Sequence, residues 1–422
     1  MFGKGSVLVI LGFILAFATY ERKMNRAVMS SSDNFNTYYS KAVVHESAIS
    51  SINYAINQLW SSADTSDNFT MVANGCTTNV SIFPLNLDTI QVKAKSRGYV
   101  FEDEYWANHN SLMLVQDSVM ANFSYKMSLS KYFWFTNNEN GVYWIGGDTV
   151  WGPIHTNTVL NTNGDPVFYG KVTAFKGIAP NPARKSGADK NLAKFYGGWE
   201  VGIKNDIPTD LSYLINAANA ANGTAAPNTK CIYDKETSFE FLANGDVIRT
   251  VDGSAPDTVA ITDIAPTGVI YSSMDVRVKG VFNGQLTIYS NQNLWIDDDI
   301  VYADDPNTNP NSNDLLGLVA KQNVVISENG MNNNDVTIQS CIMAMDGSFT
   351  AENFSTRPIS GKIDFTGSIV QNKRGGVGTF SSWSGSITHG FNKYYRYDKR
   401  LEYMAPPYYP FLRSLRLVSW WE

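Results

Sequence analysis

The densest set of potential metal ligands in the sequence is acidic and lies between residues 297 and 314. Carboxylate and amide oxygens are the ligands that Ca²⁺ takes, in sets of six to eight. Their order matches neither an EF-hand loop nor the glycine-rich repeat of calcium-binding β-helices. The sequence therefore leaves two alternatives, a solvated acidic loop, which it favours, or a calcium site; its five candidate ligands are Asp297, Asp298, Asp299, Asp304 and Asp305.

The best candidates for acid–base chemistry are Asp148, His155 and Asn157, which lie within one ten-residue stretch. A His beside an Asp can act as a general base. However, the sequence has no G-x-S-x-G motif for a nucleophile, and the whole chain contains 4 His. We therefore predict that these side chains cap turns by bonding to the backbone. The sequence indicates no catalytic residue and no enzyme.

Aromatic residues are concentrated near the C-terminus, from Tyr394 to Trp421. Such a segment could stack on carbohydrate or bind a partner. It could also cover the open end of a β structure, with Pro406 and Pro407 holding it extended. The sequence favours the second alternative and predicts an aromatic cap over residues 395–422.

The composition excludes several classes of protein. Of the 422 residues, 43% are hydrophobic and 13% aromatic, which is enough apolar surface for a folded chain. Only 17% are charged, and 41 Asn supply much of the polarity. The net charge of −6 argues against a nucleic-acid partner, because phosphate binding needs a basic face. These features are typical of an extracytoplasmic β protein.

The three cysteines, Cys76, Cys231 and Cys341, are far apart in the sequence and form no C-x-x-C pair. This spacing carries no zinc or redox signature. One disulfide with a thiol left over remains open, but three separately buried thiols are favoured, and no cofactor other than calcium is indicated.

The N-terminus contains an uncharged run from Gly5 to Tyr20, equivalent to about 24 Å of helix. A signal peptide would be cleaved after Ala16-Phe17-Ala18, whereas a membrane anchor would continue into the following helix. The candidate membrane residues are Val7, Leu8, Val9, Ile10, Leu11, Phe13, Ile14 and Leu15.

A helical pattern follows this run without a Pro or Gly before Gly75. Its apolar face recurs at steps of three and four residues. The sequence predicts one helix over residues 1–62, with a membrane half and an amphipathic half, of roughly 80 Å. The face comprises Tyr38, Tyr39, Ala42, Val43, Ala48, Ile49, Ile52, Ala55, Ile56, Leu59 and Trp60.

The rest of the chain reads as β structure. Alternating apolar residues predict a small antiparallel domain over residues 63–135, with strands at 78–83, 89–95 and 110–128. From 136 to 394, short strands opened by Asn, Asp or Gly favour a parallel β-helix, with a β-sandwich as the alternative. One helix is predicted at 208–221, where Leu211, Leu214 and Ile215 recur at helical steps.

The N-terminal sequence Gly5-Ser-Val-Leu-Val-Ile-Leu resembles the start of PilX-like minor pilins, where a Gly precedes the hydrophobic segment. The resemblance implies prepilin cleavage between Gly5 and Ser6. Major pilins carry a Glu at the fifth mature position, where this chain has Ile10. That departure weakens the case for a filament-building role more than it weakens membership.

Most of residues 130–422 resembles an uncharacterised family of PilX-like bacterial proteins. The similar segments are Phe133-Trp-Phe-Thr, Gly147 to Asn157, Gly164 to Gly170, Asp299 to Pro306, Leu316 to Ala320, Tyr395 to Leu401 and Pro406 to Trp420. Lys399 stands where the family usually has Pro. The family supplies an architecture and a compartment but no reaction.

Together these features predict a non-enzymatic structural or adhesive component of a type IV pilus or pseudopilus-like assembly. The expected partners are the membrane, other pilin-like subunits and surface glycans. The expected location is the bacterial inner membrane with an extracytoplasmic body, or a cell-surface filament. The alternative is a secreted β-helix protein that binds or cleaves polysaccharide. That function requires Arg, Lys and carboxylates in one groove, whereas Arg and Lys are scattered along the sequence.

Overall fold

The computed structural model describes residues 3–61, 67–85, 89–102, 111–187, 190–381 and 386–422. It confirms a mainly β chain with one long N-terminal helix. The chain forms two compact units, one of Met1–Met127 with Arg413–Glu422 and the other of Ser128–Leu412. The predicted domain boundary at 62 and 63 lies outside the described residues.

Helix α1 (Lys4–Ser61) has an exposed N-terminal half and a C-terminal half with one buried face. Ala48, Ile52 and Ala55 are buried against the sheet of the first unit, as the apolar periodicity predicts. Four residues predicted for the same face, Tyr38, Tyr39, Ala42 and Trp60, are exposed. By length and composition the stretch Gly5–Trp60 could cross a membrane, a test that a signal sequence also passes.

The sheet of the first unit begins with four strands, β1 (Asp67–Ala73), β2 (Cys76–Pro84), β3 (Thr89–Glu102) and β4 (Ser111–Ser128). They pair in this order and antiparallel, which confirms the predicted pairing. Residue 110, the predicted start of the last strand, lies outside the described residues. The buried face of the sheet, including Ile82, Val92 and Val119, packs against α1.

The last strand of this sheet comes from the C-terminus, Phe411–Trp421, and lies beside β4. Leu415 and Trp420 pack against the core formed by α1 and the sheet. The predicted cap over 395–422 is therefore not one element, because its final residues fold with the first unit. The residues that precede the strand, from 395 to 410, belong to the second unit.

The described residues of the second unit form 25 short and medium strands. The first ten are β5 (Trp134–Asn138), β6 (Tyr143–Ile145), β7 (Thr149–Val150), β8 (Ile154–Thr156), β9 (Leu160–Asn163), β10 (Val167–Phe168), β11 (Val172–Ala174), β12 (Ile178–Ala179), β13 (Lys194–Phe195) and β14 (Trp199–Val201). Then follow β15 (Ile232–Tyr233), β16 (Thr237–Phe241), β17 (Asp246–Val251), β18 (Asp257–Ala260), β19 (Val269–Ser272), β20 (Val276–Phe282), β21 (Gln285–Ser290) and β22 (Leu294–Tyr302). The last are β23 (Leu315–Ala320), β24 (Val324–Ile326), β25 (Val336–Ala344), β26 (Phe349–Ala351), β27 (Ile359–Lys373), β28 (Gly378–Phe380) and β29 (Ile387–Tyr397), and the C-terminal strand is β30.

Helices are a minor part of this unit. They are α2 (Ser212–Asn222), α3 (Ile261–Ile264) and two 3₁₀ turns, Leu129–Lys131 and Lys399–Glu402. Helix α2 confirms the helix predicted at 208–221, with its start shifted by four residues. The Asp210 carboxylate accepts a bond from the Ser212 N–H at 2.8 Å, which fixes the start of the helix.

Most strand pairs in the second unit are parallel. One series aligns Val276, Leu294, Val324 and Phe349 on successive strands, and all four side chains are buried. Parallel strands buried on both faces read as apolar runs rather than as alternation. A β-sandwich is built from antiparallel sheets, so the β-sandwich alternative does not fit this body.

A second series joins the residues that precede these strands. The side-chain oxygen of Asp275 accepts the N–H of Asn293 at 2.9 Å, and that of Asn293 accepts the N–H of Asn323 at 3.2 Å. Asn323 in turn accepts the N–H of Ser348 at 3.0 Å. The recurring Asn or Asp before each strand therefore satisfies the backbone of the next strand in the stack.

An aromatic residue followed by Gly recurs at three stacked positions between β7 and β8, β10 and β11, and β13 and β14. The rings of Trp151 and Tyr169 are 4.2 Å apart and nearly parallel at 7°, and Tyr169 and Tyr196 are 5.2 Å apart. A Cβ on the glycine after Tyr169 would lie 2.1 Å from a backbone oxygen of the preceding glycine. We call this set the aromatic–glycine ladder: Trp151-Gly152, Tyr169-Gly170 and Tyr196-Gly197.

The ladder predicts a large effect for Gly170→Ala. The new Cβ would overlap the backbone of Gly152, so the adjacent parallel strands must separate. We expect a loss of about 3 kcal/mol in the free energy of unfolding, measured by urea titration. Gly330→Ala is the matched control, because no atom lies within 4 Å of its Cβ position. Equal stability of the two variants would contradict close backbone packing at the ladder.

Candidate functional site

The second unit contains a cleft of about 520 Å³, a volume within the range of ligand sites. Aromatic and cationic side chains dominate its walls. The lining residues are Phe133, Trp134, Trp144, Gly147, Asp148, Thr149, Val150, Trp151, Asn307, Arg374, Lys393, Tyr394, Tyr395, Arg396, Tyr397 and Lys399.

The 15-residue strand β27 brings the two main walls together. Its C-terminal half pairs with β5, where Ile369 is opposite Trp134. Its centre pairs with β29, where Phe365 is opposite Tyr395. Strands β5 and β29, which are more than 200 residues apart in the sequence, are therefore brought together because both pair with β27.

Aromatic rings form the floor of the cleft and part of its rim. Trp134 lies edge-on to Trp144 at 5.6 Å and is stacked near Tyr395 at 6.2 Å. Trp134 and Trp144 are buried, whereas Trp151 and Tyr394 are 57% and 52% exposed. The exposed rings offer apolar surface to a ligand, and the buried rings fix the shape of the floor.

The guanidinium of Arg374 lies over both buried indoles, 4.4 Å from the ring centroid of Trp144 and 5.3 Å from that of Trp134. It donates to the Glu139 carboxylate at 2.8 Å, and the two side chains are 3% and 1% exposed. Thr136 donates its hydroxyl to the same carboxylate. This buried ion pair compensates the Arg374 charge within the protein and holds the floor in place.

Three further cations line the cleft with different partners. Arg396 is paired with Asp364 at 2.5 Å. Within the described parts of the chain, Lys393 and Lys399 form no ion pair with a carboxylate. Asp148 is the one carboxylate among the lining residues. The cleft is therefore locally positive in a chain whose net charge is −6.

Lys393 lines the cleft, and its amine lies 5.8 Å from the centroid of the Phe380 ring. Loss of water around its amine and the positive charge of Arg374 lower the pKa of Lys393 to about 8, against the opposing charges of Asp148 and Glu139. The amine is therefore largely protonated at neutral pH and loses its charge as the pH rises through about 8.

The unsatisfied polar atoms of the wall are donors. Among the described residues, the indole N–H groups of Trp134 and Trp144 and the Nε–H of Arg396 have no hydrogen-bond partner. Indole and guanidinium groups donate and do not accept. Because these three groups are buried, they belong to the packed floor of the cleft and not to its open surface.

The three residues considered for acid–base chemistry do not form one site. His155 is buried, its Nδ1 lies 2.7 Å from the Thr173 hydroxyl, and its Nε2 lies 3.0 Å from the Asn157 amide oxygen. Burial lowers the pKa of His155, which favours the neutral ring. Asp148 instead lines the cleft and accepts the N–H of Ile145 at 2.8 Å, a turn-capping bond of the kind predicted.

The five acidic candidates are divided between a strand and the turn after it. Asp297, Asp298 and Asp299 are successive residues of β22, at the point where its pairing with β20 shifts register. Asp297 accepts from Arg277 at 2.7 Å, and Asp299 accepts the Thr337 N–H at 2.6 Å. Burial raises the pKa of Asp299, and the charge of Asp298 adds to the effect.

The other two candidates follow the strand. Asp304 accepts from the Asn309 amide at 2.8 Å, and Asp305 accepts from the Gln339 amide at 2.9 Å. In the residues that the structure describes, no three His, Cys, Asp or Glu side chains are grouped to hold a metal ion. Calcium binding stays a prediction, and it would require these carboxylates to exchange their present partners.

The three cysteines are buried free thiols, in accord with the favoured alternative. Burial raises the pKa of Cys231 and of Cys341, so both favour the unreactive protonated form.

The cationic side of the cleft was not predicted. Arg and Lys are scattered over the whole sequence, but Lys393, Arg396 and Lys399 are interleaved with tyrosines within seven residues. That interleaving was the available signal. The contribution of Arg374 depends on strand pairing and has no local signal. Comparison of the chain with family models, curated proteins and solved structures gave no match.

Proposed function

We propose that this protein is a membrane-anchored, extracytoplasmic component of a type IV pilus or pseudopilus-like assembly, with a structural or adhesive role and no enzymatic activity. The observation that carries the proposal is the division of α1 into an exposed apolar half and a half packed on an antiparallel sheet. Such a helix has one part for the folded unit and another for a membrane or a bundle of like helices.

The exposed half is too apolar to remain in water. Leu8, Phe13 and Phe17 are 71%, 73% and 69% exposed, and the run from Gly5 to Tyr20 carries no charge. Burial of each large side chain contributes roughly 1.5–3 kcal/mol, which favours insertion into lipid or contact with other pilin-like subunits. The expected location is the bacterial inner membrane or a cell-surface filament.

We also propose that the second unit is a parallel β-helix. Three observations support this architecture: the parallel series through Val276 and Leu294, the side-chain bonds between successive Asn and Asp residues, and the aromatic–glycine ladder. Each links equivalent positions on consecutive turns of the chain, as a stack of coils requires.

Processing of the N-terminus tests the pilin-like function. We expect the mature protein to begin at Ser6 and to fractionate with membranes or filaments, as measured by intact mass and N-terminal sequencing of native material. Gly5→Val should abolish this processing, and Gly3→Val, two residues upstream, should leave it unchanged. A soluble product beginning at Thr19 would instead identify a secretory signal peptide and exclude the anchor.

The cleft favours a second candidate function, a β-helix protein that binds or cleaves polysaccharide. The specific observation is the convergence of Arg374, Lys393, Arg396 and Lys399 with exposed aromatic rings. The position of these residues in the sequence does not show that they line one cleft. An adhesive component and a glycan-binding protein would use the same cleft, and the N-terminus distinguishes an anchored form from a secreted one.

A further inference from the structure

The exposed rings at the cleft are suited to a flat, partly apolar ligand. Trp151 keeps 57% of its surface exposed although one neighbour, Tyr169, is stacked on it. Tyr394 of β29, which also lines the cleft, is 52% exposed. Tyr and Trp faces pack against apolar C–H surface while polar groups at the ligand edge stay hydrated. Pyranose rings have this combination of an apolar face and a polar rim.

The charges of the cleft require an anionic ligand. Four lining side chains are cationic and one is a carboxylate. Glu139 and Asp364 compensate Arg374 and Arg396, so Lys393 and Lys399 carry the surplus. A carboxylate ligand forms charge-assisted bonds with ammonium groups, whereas a neutral ligand would leave both amines without a counter-ion.

We propose that the cleft binds an anionic glycan, a short run of uronic acid residues, with sugar rings on Trp151 and Tyr394 and carboxylates at Lys393 and Lys399. Asp148 accepts hydrogen bonds from sugar hydroxyls. The proposal rests on the proposed function in one respect, namely that an extracytoplasmic body meets such polymers.

The charge of the chain favours a glycan over a nucleic acid. Nucleic-acid binding needs an extended basic surface that neutralises many phosphates, and the net charge of this chain is −6. The positive charge is confined to a cleft of about 520 Å³, which suits a few saccharide units.

The test is calorimetric titration of the purified full-length chain with tetragalacturonate. The fully methyl-esterified tetramer keeps the rings and removes the charges, and inorganic sulfate supplies charge without rings. We expect the acid to bind at least about tenfold more tightly than the ester and more tightly than sulfate. Equal binding of acid and ester, or tighter binding of an oligothymidylate than of the acid, would overturn the proposal.

Paired variants locate the binding. Lys393→Gln with Lys399→Gln, and separately Trp151→Ala, should each weaken tetragalacturonate binding by about tenfold or more. Lys321→Gln removes an exposed lysine outside the cleft, and Tyr196→Ala removes an exposed ring of the ladder that does not line it. Both controls should bind within about twofold of the natural protein. Unchanged binding by the cleft variants would place the glycan elsewhere and overturn the assignment.

The pH dependence gives a further readout. Lys393 faces Arg374, Asp148 and Glu139, and it is protonated below its pKa of about 8. Burial raises the pKa of the neighbouring Tyr395 and Tyr397, so both stay neutral up to pH 9.5.

Binding of tetragalacturonate should therefore weaken between pH 7 and 9.5. In Lys393→Arg, whose cation does not titrate in this range, binding should persist to pH 9.5. A natural protein and a Lys393→Arg variant with the same pH profile would contradict the role of Lys393.

Failure of glycan binding would leave the N-terminal processing result untouched. The two proposals are thus tested independently.

Discussion

Glu139→Gln is expected to lower the free energy of unfolding by about 3–5 kcal/mol, the typical result of breaking a buried ion pair. The carboxylate is 1% exposed and its partner, Arg374, is 3% exposed. A glutamine fits the same space but leaves the guanidinium charged, buried and without a counter-ion over Trp134 and Trp144. Chemical denaturation followed by tryptophan fluorescence measures the loss, because the two indoles are in contact with the pair.

An exposed pair in the same unit provides the control. Lys171 and Glu200 are 2.6 Å apart, with 56% and 49% of their side chains exposed. Glu200→Gln should change stability by less than about 1 kcal/mol, since solvent screens both charges. The double variant Glu139→Gln with Arg374→Met should recover much of the loss by removing the unpaired charge. If Glu139→Gln cost no more than Glu200→Gln, the buried pair would not hold the floor of the cleft.

Removal of residues 413–422 is expected to destabilise the first unit and to cause aggregation. Leu415 and Trp420 pack against the core between α1 and the sheet. Both side chains are partly buried, so their loss corresponds to about 2 kcal/mol, less than for two fully buried side chains. The deletion also leaves β4 as an unpaired edge strand, which is a template for association between chains. Soluble yield and the thermal unfolding transition measure both effects.

Single substitutions on the same strand distinguish the loss of core packing from a nonspecific effect of changing the strand. Leu415→Ala should lower the unfolding temperature, whereas Leu417→Ala, at a residue that is 50% exposed, should have little effect. A truncated chain that stayed soluble with an unchanged transition would show that the C-terminal strand contributes nothing to the core.

Local sequence patterns predicted the elements in which the residues that pack recur at short, regular intervals along the chain. The steps of three and four residues in α1 reappear as the buried set Ala48, Ile52 and Ala55. The Asn and Asp residues that open short strands are explained by their bonds to the residue that precedes the neighbouring parallel strand. The aromatic residues of the C-terminal strand were predicted to form a cap, because no local signal identifies a partner as distant in sequence as β4, which ends at Ser128.

The candidate sites also depend on contacts between residues that are distant in the sequence. Three consecutive aspartates looked like a set of ligands, but they lie where the pairing of β22 with β20 shifts register. Asp297 there bonds to Arg277 of β20, and Asp299 bonds to Thr337 of β25. The cleft was not predicted because Trp134 and Lys393 meet only through the register of β27 with its two neighbours. Charge balance, too, depended on pairs such as Arg374 with Glu139 that sequence order does not show.

The aromatic–glycine ladder also sets where the chain can accept additional sequence. Trp151 and Tyr169 are 18 residues apart, whereas Tyr169 and Tyr196 are 27 residues apart, yet both pairs of rings are stacked. The longer interval contains the connection between β12 and β13, whose described residues, 180–187 and 190–193, belong to no strand. Ladder geometry is thus independent of the length of this connection, which makes it a natural insertion point for an epitope tag or a reporter domain.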